Sequence, residues 1–233
     1  MSVSQAHRSA YEQFYLVLAA VFVAALVACN LIFQKFFIWD LSFLQSGLQF
    51  QQSVGILAYP LTFLVTDILS EIYGKERAER VVTSGLVASL FILLLVLLAT
   101  LVKATPWSPV DDIVFQKVFG LQWIAVSASM LAYLGAQYLD IRVFHFWKRL
   151  TNGRHLWLRN NASTFTSQVV DTMLVNGLLV VFGNTGVTWD RFPELFLNGV
   201  AFKWIVALLD TPVLYVVVYF LRRRFNISEL NNN

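Results

Sequence analysis

Charged residues are scarce in this sequence, and cysteine and histidine are scarcer still. Asp, Glu, Lys and Arg make up 13% of its 233 residues, about half the share found in soluble domains, whereas hydrophobic residues make up 58%. This balance excludes an ordinary soluble domain and indicates an integral membrane protein. The single cysteine, Cys29, excludes an internal disulfide and a metal site built from several thiolates.

The few histidines and the placement of glycine argue against most kinds of enzyme. His7, His145 and His155 lie outside the apolar segments, so an intramembrane Ser–His pair is hard to build. The sequence has no His-Glu-x-x-His zinc motif, no Gly-x-Ser-x-Gly elbow and no glycine-rich loop for the phosphates of ATP. A membrane-embedded hydrolase with Asp67 and Asp171 as an aspartyl pair stays open, although the glycine and tyrosine that usually flank such aspartates are missing.

Long apolar runs take the place of those features. About 20 residues are needed to cross a bilayer, and six segments reach that length, over residues 13–33, 53–73, 81–102, 121–141, 163–184 and 199–221. No strand-like alternation competes with them. The sequence therefore predicts an all-α integral membrane protein, a bundle of six transmembrane helices that forms a single transmembrane domain over residues 1–233.

Lysine and arginine are distributed unevenly between the predicted loops. If the N-terminus is cytoplasmic, the cytoplasmic loops and ends receive twelve of the 17 Lys and Arg residues, whereas the outer loops receive four. Cytoplasmic loops of membrane proteins carry an excess of positive charge. This bias predicts that both termini are cytoplasmic.

The second apolar segment carries residues that lipid does not tolerate without a reason. Its stretch Ala58–Gly74 contains Pro60, Asp67 and Glu71. A carboxylate at bilayer depth costs at least a few kcal/mol, and the i,i+4 spacing of Asp67 and Glu71 puts both on one helix face. Pro60 is expected to kink or break the helix. The polar face of this segment is the predicted centre of function.

The fifth segment carries a second polar stripe. Thr164, Gln168 and Asp171 follow one another at i, i+4 and i+7, and Asn161 extends the stripe by one turn. At a rise of about 1.5 Å per residue, Asp171 falls close to the bilayer midplane. Such side chains either bind a substrate or form hydrogen bonds between helices, and both alternatives stay open.

Polar residues in the fourth and first segments are fewer. Tyr133, Gln137 and Asp140 share one face of the fourth segment. Asp140 lies near the cytoplasmic end, two residues before Arg142, so it suits a binding role or a structural role with nearby basic residues. Asn30 in the first segment suits either interhelical packing or ligand binding.

The sixth segment carries a cation and an anion on one face, Lys203 and Asp210. For Asp210, an ion pair with another helix is the structural alternative to a coupling role. Lys203 is the one lysine in the predicted membrane segments, whereas these segments contain four carboxylates in addition to Asp140. Some of those carboxylates must therefore be protonated, paired or neutralised by a substrate. The carboxylates are Asp67, Glu71, Asp171 and Asp210. These residues predict a polar, acidic cavity near the midplane.

Two long motifs resemble the signatures of a known family. Pro60–Lys75 and Leu156–Thr172 are similar to those of the bacterial queuosine-precursor transporters, also called the vitamin uptake transporter family. The resemblance extends from Asn30 to Asp210 and implies a fold like the substrate-binding subunits of energy-coupling-factor transporters. It implies import across the bacterial inner membrane of 7-cyano-7-deazaguanine, its aminomethyl relative or queuine, for queuosine in tRNA.

The resemblance also implies how such a substrate would be held. Asp67 or Asp171 would accept the N1–H and exocyclic amine of a deazaguanine, Glu71 would shape the cytoplasmic exit and Lys203 would donate from the outer half. The residues expected to orient or stack on the base are Gln137, Asn161, Gln168, Asn30, Tyr59, Phe63 and Tyr133. No cofactor and no nucleic-acid partner is implied. A binding subunit that needs a separate energising complex is the rival interpretation, and a monomer and a homodimer both stay open.

Overall fold

The structure, a computed structural model, describes residues 3–32, 35–40, 49–120, 123–181 and 188–225. Long α-helices dominate this part of the chain, joined by one short helix and one β-hairpin. The helices are α1 (Val3–Ile32), α2 (Tyr59–Ile72), α3 (Lys75–Leu101), α4 (Asp112–Phe115), α5 (Trp123–Leu150), α6 (Leu156–Val181) and α7 (Phe192–Phe225), and the strands are β1 (Phe36–Asp40) and β2 (Gln49–Ser53).

Each predicted apolar segment corresponds to one long helix, but most of the helices are longer than the segments. The fifth segment was expected to begin at residue 163, for example, whereas α6 begins at Leu156. Apolar residues mark only the part of a helix suited to lipid, and the backbone continues its hydrogen bonds into the polar interface. Within the described residues, four helices are long and apolar enough to cross a membrane, namely Ser9–Ile32, Val54–Ile72, Lys75–Leu101 and Phe192–Phe225. The chain is a multi-pass membrane protein.

The six long helices alternate in direction. The Tyr11 ring in the first turns of α1 lies 5.4 Å from the ring of Phe225 at the end of α7, so these two ends of the chain lie together. Arg77 at the start of α3 pairs with Glu12 of α1. Glu71 at the end of α2 pairs with residues at the end of α5, the start of α6 and the end of α7. We call this side of the bundle the basic end.

The β-hairpin lies between α1 and α2, at the opposite side of the bundle, which we call the hairpin end. β1 and β2 pair antiparallel, with Phe36 opposite Ser53 and Asp40 opposite Gln49. The hairpin lies in the connection between two helices and replaces none of the predicted helical segments, although the sequence predicted no element there. Strands of five residues are too short to show a clear alternation, and the aromatic run in β1 favours an extended backbone. The Trp39 ring contacts the ring of Phe202 on α7.

Pro60 divides the second apolar segment into two pieces. A 3₁₀ turn over Val54–Leu57 precedes α2, and Pro60 occupies the first turn of α2. The expected break is therefore present, but it comes before the helix. Proline in a first turn removes no helical hydrogen bond, because those N–H groups have no partner within the helix. The rest of α2 is regular down to Ile72.

Neighbouring helices α2 and α3 face different surroundings. Nearly every residue of α2 after Leu61 is buried, including Asp67 and Glu71. In contrast, α3 exposes a broad apolar surface that includes Leu90, Phe91 and Leu94. A bilayer favours such a surface, because lipid chains are as apolar as these side chains. The polar helix therefore lies inside the bundle and the apolar helix lies at its edge.

Candidate functional site

Polar side chains of α2 contact the other helices at three successive levels. Tyr59 lies at the hairpin end, Asp67 in the middle and Glu71 at the basic end. Their spacing along α2 puts them on one side of the helix, and α5, α6 and α7 supply the partners at each level. We call this set of contacts the polar column.

At the hairpin end, Asp171 is the centre of the column. Lys203 Nζ lies 2.6 Å from Asp171 Oδ2, and the Tyr59 hydroxyl donates a hydrogen bond to the same oxygen. The Lys203 ammonium also lies 4.6 Å from the centre of the Tyr59 ring, a cation–π distance. The other oxygen, Oδ1, is buried and has no hydrogen-bond partner within the described residues. The carboxylate therefore has its charge neutralised but can accept one more hydrogen bond.

Three aromatic rings pack together beside Asp171. The ring centres of Tyr59, Phe63 and Tyr133 lie 5.2 to 5.9 Å apart. Gln137 donates to the Tyr133 hydroxyl at 2.6 Å and accepts from Thr66 Oγ1 at 3.2 Å. Gln137 therefore holds Tyr133 in place and joins α5 to α2. The cluster offers flat apolar faces next to a carboxylate and an ammonium group.

A small cavity opens between α2, α6 and α7 at this level. The centre of a water molecule can occupy a volume of about 20 Å³ in this cavity, so the cavity has room for about one water. The predicted site residues in its wall are Tyr59, Phe63, Gln168, Lys203 and Asp210, with Thr164 beside them. Gln168 Oε1 is buried and has no partner among the described residues. The cavity wall contains both polar and aromatic side chains, and a bicyclic base would have to widen the cavity.

In the middle of the column, two buried carboxyl groups meet. Asp67 of α2 and Asp140 of α5 are both buried, and Ser167 Oγ donates to Asp140 Oδ1 at 3.0 Å. Within the described ranges neither aspartate has an ion pair. Asp67 is not one of the residues in the cavity wall.

At the basic end, Glu71 is surrounded by cations. Arg159 Nη2 lies 2.7 Å from Glu71 Oε1, Lys148 Nζ lies 3.1 Å from Oε2, and Arg222 pairs with Oε1 as well. Glu71 and Arg159 are almost completely buried. Arg159 also donates to the carbonyl of Gly153 at 2.8 Å. The carboxylate therefore joins four helices at the end where the sequence predicted a cytoplasmic exit.

One histidine lies near this ion-pair cluster, beyond the segment predicted to cross the membrane. Burial, together with the positive charges of Lys148 and Lys75, lowers the pKa of His145 to about 4. The imidazole is therefore neutral at physiological pH and adds no charge to the basic end. The described residues contain no group of three or more His, Cys, Asp and Glu side chains that could hold a metal ion.

Eight predicted site residues are not in the cavity wall, namely Asn30, Asp67, Glu71, Tyr133, Gln137, Asp140, Asn161 and Asp171. Asn161 donates to Thr211 Oγ1 on α7 at 2.9 Å, a contact between helices. Asn30 is partly buried near the end of α1, and its Nδ2 has no partner among the described residues. Sequence reasoning missed the partners of Glu71. The charge bias had placed Lys148, Arg159 and Arg222 at the same end as Glu71, but it did not indicate which of the cations at that end would pair with the glutamate.

The fold and the site together define a class of protein. Several long helices, most of them apolar, surround a small polar cavity, and no catalytic motif accompanies it in the sequence, as in a membrane transporter for a small molecule. Residues 53–217 match the family described as "Putative vitamin uptake transporter". The chain belongs to this family.

Curated relatives agree with that assignment. The chain is 28% identical over 164 residues, 70% of each chain, to the "Probable queuosine precursor transporter" of Bacillus subtilis (strain 168). It is 26% identical over 188 residues to the "Queuosine precursor transporter" of Escherichia coli (strain K12), covering 80% of this chain and 82% of the relative. A third, from Haemophilus influenzae, is 22% identical over 179 residues, 76% of this chain and 73% of the relative. No solved structure matches the chain.

These relatives are transporters, so the prediction that the chain is not an enzyme is confirmed. The membrane-embedded hydrolase is thereby excluded. The resemblance seen in the motifs Pro60–Lys75 and Leu156–Thr172 is confirmed as well, since both lie within the matched residues 53–217. Both motifs also supply the polar column, the first with Asp67 and Glu71 and the second with Arg159 and Asp171.

Proposed function

We propose that this protein imports queuosine precursors across the bacterial inner membrane. The substrates are 7-cyano-7-deazaguanine, 7-aminomethyl-7-deazaguanine or queuine, which the cell uses for queuosine in tRNA. Three relatives from different bacteria, all named as queuosine precursor transporters or probable ones, support the substrate class. The chemistry of the cavity, derived from this chain's own residues, supports it independently.

Six membrane crossings with both termini in the cytoplasm suit this function. The alternating directions of α1, α2, α3, α5, α6 and α7 support six crossings, and the contact between Tyr11 and Phe225 supports termini on one side. The cations Lys148, Arg159 and Arg222 collect at that side, which favours the cytoplasm. On this orientation the cavity lies nearer the outer face than Glu71 does.

The observation that carries the proposal is a cavity with aromatic faces in its wall and unused hydrogen-bonding groups either in that wall or bound to its residues. The rings of Tyr59 and Phe63 would stack on a flat base. Asp171 Oδ1 and Gln168 Oε1 are buried acceptors without partners in the described chain, and a deazaguanine presents N–H donors along one edge. Of the two aspartates considered for that edge, Asp171 is favoured, because its partners Tyr59 and Lys203 line the cavity, whereas neither Asp67 nor Asp140 lies in the cavity wall.

A rescue assay tests the proposal. The host is a bacterium that is blocked in precursor synthesis and lacks its own importer, and it is fed limiting amounts of one of the three substrates. We expect this chain to restore queuosine in tRNA with at least one of them, and Asp171→Asn to lower that rescue by about tenfold or more, as loss of a charge-assisted hydrogen bond implies.

The matched control is Asp190→Asn, the same substitution at an exposed aspartate. It should rescue like the wild type at equal protein levels in the membrane. No rescue with any substrate, with the protein shown to be in the membrane, would overturn import by this chain alone. That result would favour a subunit that needs an energising partner, or another substrate.

A further inference from the structure

The two carboxylates near the cavity differ in their partners. Asp171 has the ammonium of Lys203 and the hydroxyl of Tyr59. Asp210 lies in the cavity wall, only partly buried, and the described residues give it neither an ion pair nor a hydrogen bond.

An unpaired carboxylate in a membrane helix requires a compensating group. The cost of placing it at bilayer depth is several kcal/mol unless a cation, a proton or water neutralises or solvates it. Lys203 cannot serve, because its charge is already neutralised by Asp171 at 2.6 Å. A positively charged group of a ligand bound in the cavity would supply such a partner for Asp210.

Asp210 and the lysine that binds Asp171 lie at different levels of α7. Lys203, which holds Asp171, and Asp210 are seven residues apart on α7, which is about 10 Å along the helix axis. This separation is comparable to the long axis of a bicyclic base with a short side group. A base whose donor edge lies at Asp171 would extend its 7-substituent towards Asp210.

We propose that Asp210 is the specificity-determining residue of the cavity and pairs with a protonated amine on the 7-substituent. This inference rests on the proposed import of 7-deazaguanines and adds an order of preference among them. The aminomethyl substrate carries an ammonium group at neutral pH, whereas the cyano substrate is uncharged at that position. The aminomethyl substrate is therefore preferred, and Asp210 is the cause of that preference.

The experiment measures, for each substrate, the concentration that gives half-maximal rescue of tRNA queuosine. With Asp210→Asn, we expect this concentration to rise about tenfold or more for the aminomethyl substrate, because the variant loses one charge-assisted hydrogen bond. For the cyano substrate it should change by less than about threefold, well under one such bond. Asp210→Glu should keep the preference, and Asp190→Asn should leave both values unchanged.

A competition in the wild type keeps the inference testable if Asp210→Asn does not reach the membrane. Cells fed both substrates at equal concentration should take up mainly the aminomethyl substrate. Equal uptake, or preference for the cyano substrate, would overturn the inference, as would an equal loss of both substrates or of neither in Asp210→Asn. Import with no such preference leaves the proposed function standing, whereas no import of any substrate by the wild type overturns both.

Discussion

The two ends of the polar column both bury a carboxylate against cations, yet they are built for different tasks. Glu71 has three cationic partners, Arg159, Lys148 and Arg222, and they come from three different helices. Asp171 has one cation, Lys203, and one tyrosine hydroxyl. The cavity lies beside Asp171, and two of its wall residues are the partners of that carboxylate.

This difference indicates which of the two ion pairs a substrate can change. At Glu71 both carboxylate oxygens have cations close by, and the arginine at 2.7 Å is as deeply buried as the glutamate. At Asp171 one oxygen is free of any partner in the described chain, so a ligand can bind without first displacing a cation. We infer that Glu71 holds the helices together and that Asp171 recognises substrate.

The largest effect is expected from breaking the basic end. Glu71→Ala leaves the guanidinium of Arg159 buried without its carboxylate, and removing one partner of a buried ion pair typically costs about 3–5 kcal/mol. We expect a sharp fall in the melting temperature of the detergent-solubilised protein, together with lower amounts in the membrane. Glu76→Ala is the control, since Glu76 is 86% exposed in its side chain and pairs with Arg80 at 3.7 Å. Its effect should stay below about 1 kcal/mol, and equal stability of both variants would contradict the structural role of Glu71.

The second prediction separates stability from transport at the hairpin end. Asp171→Asn and Lys203→Gln each leave one buried charge without its partner, whereas the double variant removes both charges. We expect the double variant to recover about 0.5–3 kcal/mol relative to the sum of the single losses, measured by thermal unfolding in detergent. Its uptake should stay as low as that of Asp171→Asn, because a substrate donor edge needs the carboxylate.

An ion pair on the protein surface provides the control for the single and double variants of Asp171 and Lys203. Lys75 and Glu79 lie 3.6 Å apart and are both partly exposed, so removing them together should show a coupling below about 1 kcal/mol and leave uptake unchanged. Restored uptake in the Asp171→Asn, Lys203→Gln variant would mean that Asp171 serves only to balance Lys203. The contrast between the two ends of the column would then disappear.

The local parts of this site were readable from the sequence, because they follow from helix periodicity and hydropathy. The i,i+4 spacing of Asp67 and Glu71 and the stripe that ends at Asp171 predicted buried polar faces, and the structure buries all three side chains. The first and last residues of the helices could not be predicted as well from the sequence. α6 begins in a polar stretch at Leu156 that hydropathy alone does not mark as part of a membrane helix.

The pairing of those faces was not readable, because it depends on how separate helices pack. Nothing local indicates that Glu71 meets Arg159 and Arg222, which are far away in sequence. The sequence also does not indicate whether Lys203 pairs with Asp171 or with Asp210. Asp210 shares a helix face with Lys203, yet the lysine bonds to Asp171 of another helix, since a side chain seven residues away lies about 10 Å off along the axis.

The smallest effect is expected from removing the Tyr59 hydroxyl. This change tests how Asp171 is held in place and so refines the comparison between Asp171 and Glu71. Tyr59→Phe removes the hydrogen bond to Asp171 but keeps the ring against Phe63 and Tyr133. A hydrogen bond to a charged group is worth about 1.5 kcal/mol, so the substrate concentration for half-maximal rescue should rise by roughly tenfold at most. Tyr59→Leu removes the aromatic face as well and should cost more. Tyr138→Phe, which loses a partly exposed hydroxyl contact with Thr83, should match the wild type. If Tyr59→Phe also matches the wild type, then Lys203 alone positions the carboxylate, and Asp171 depends on a single partner where Glu71 has three.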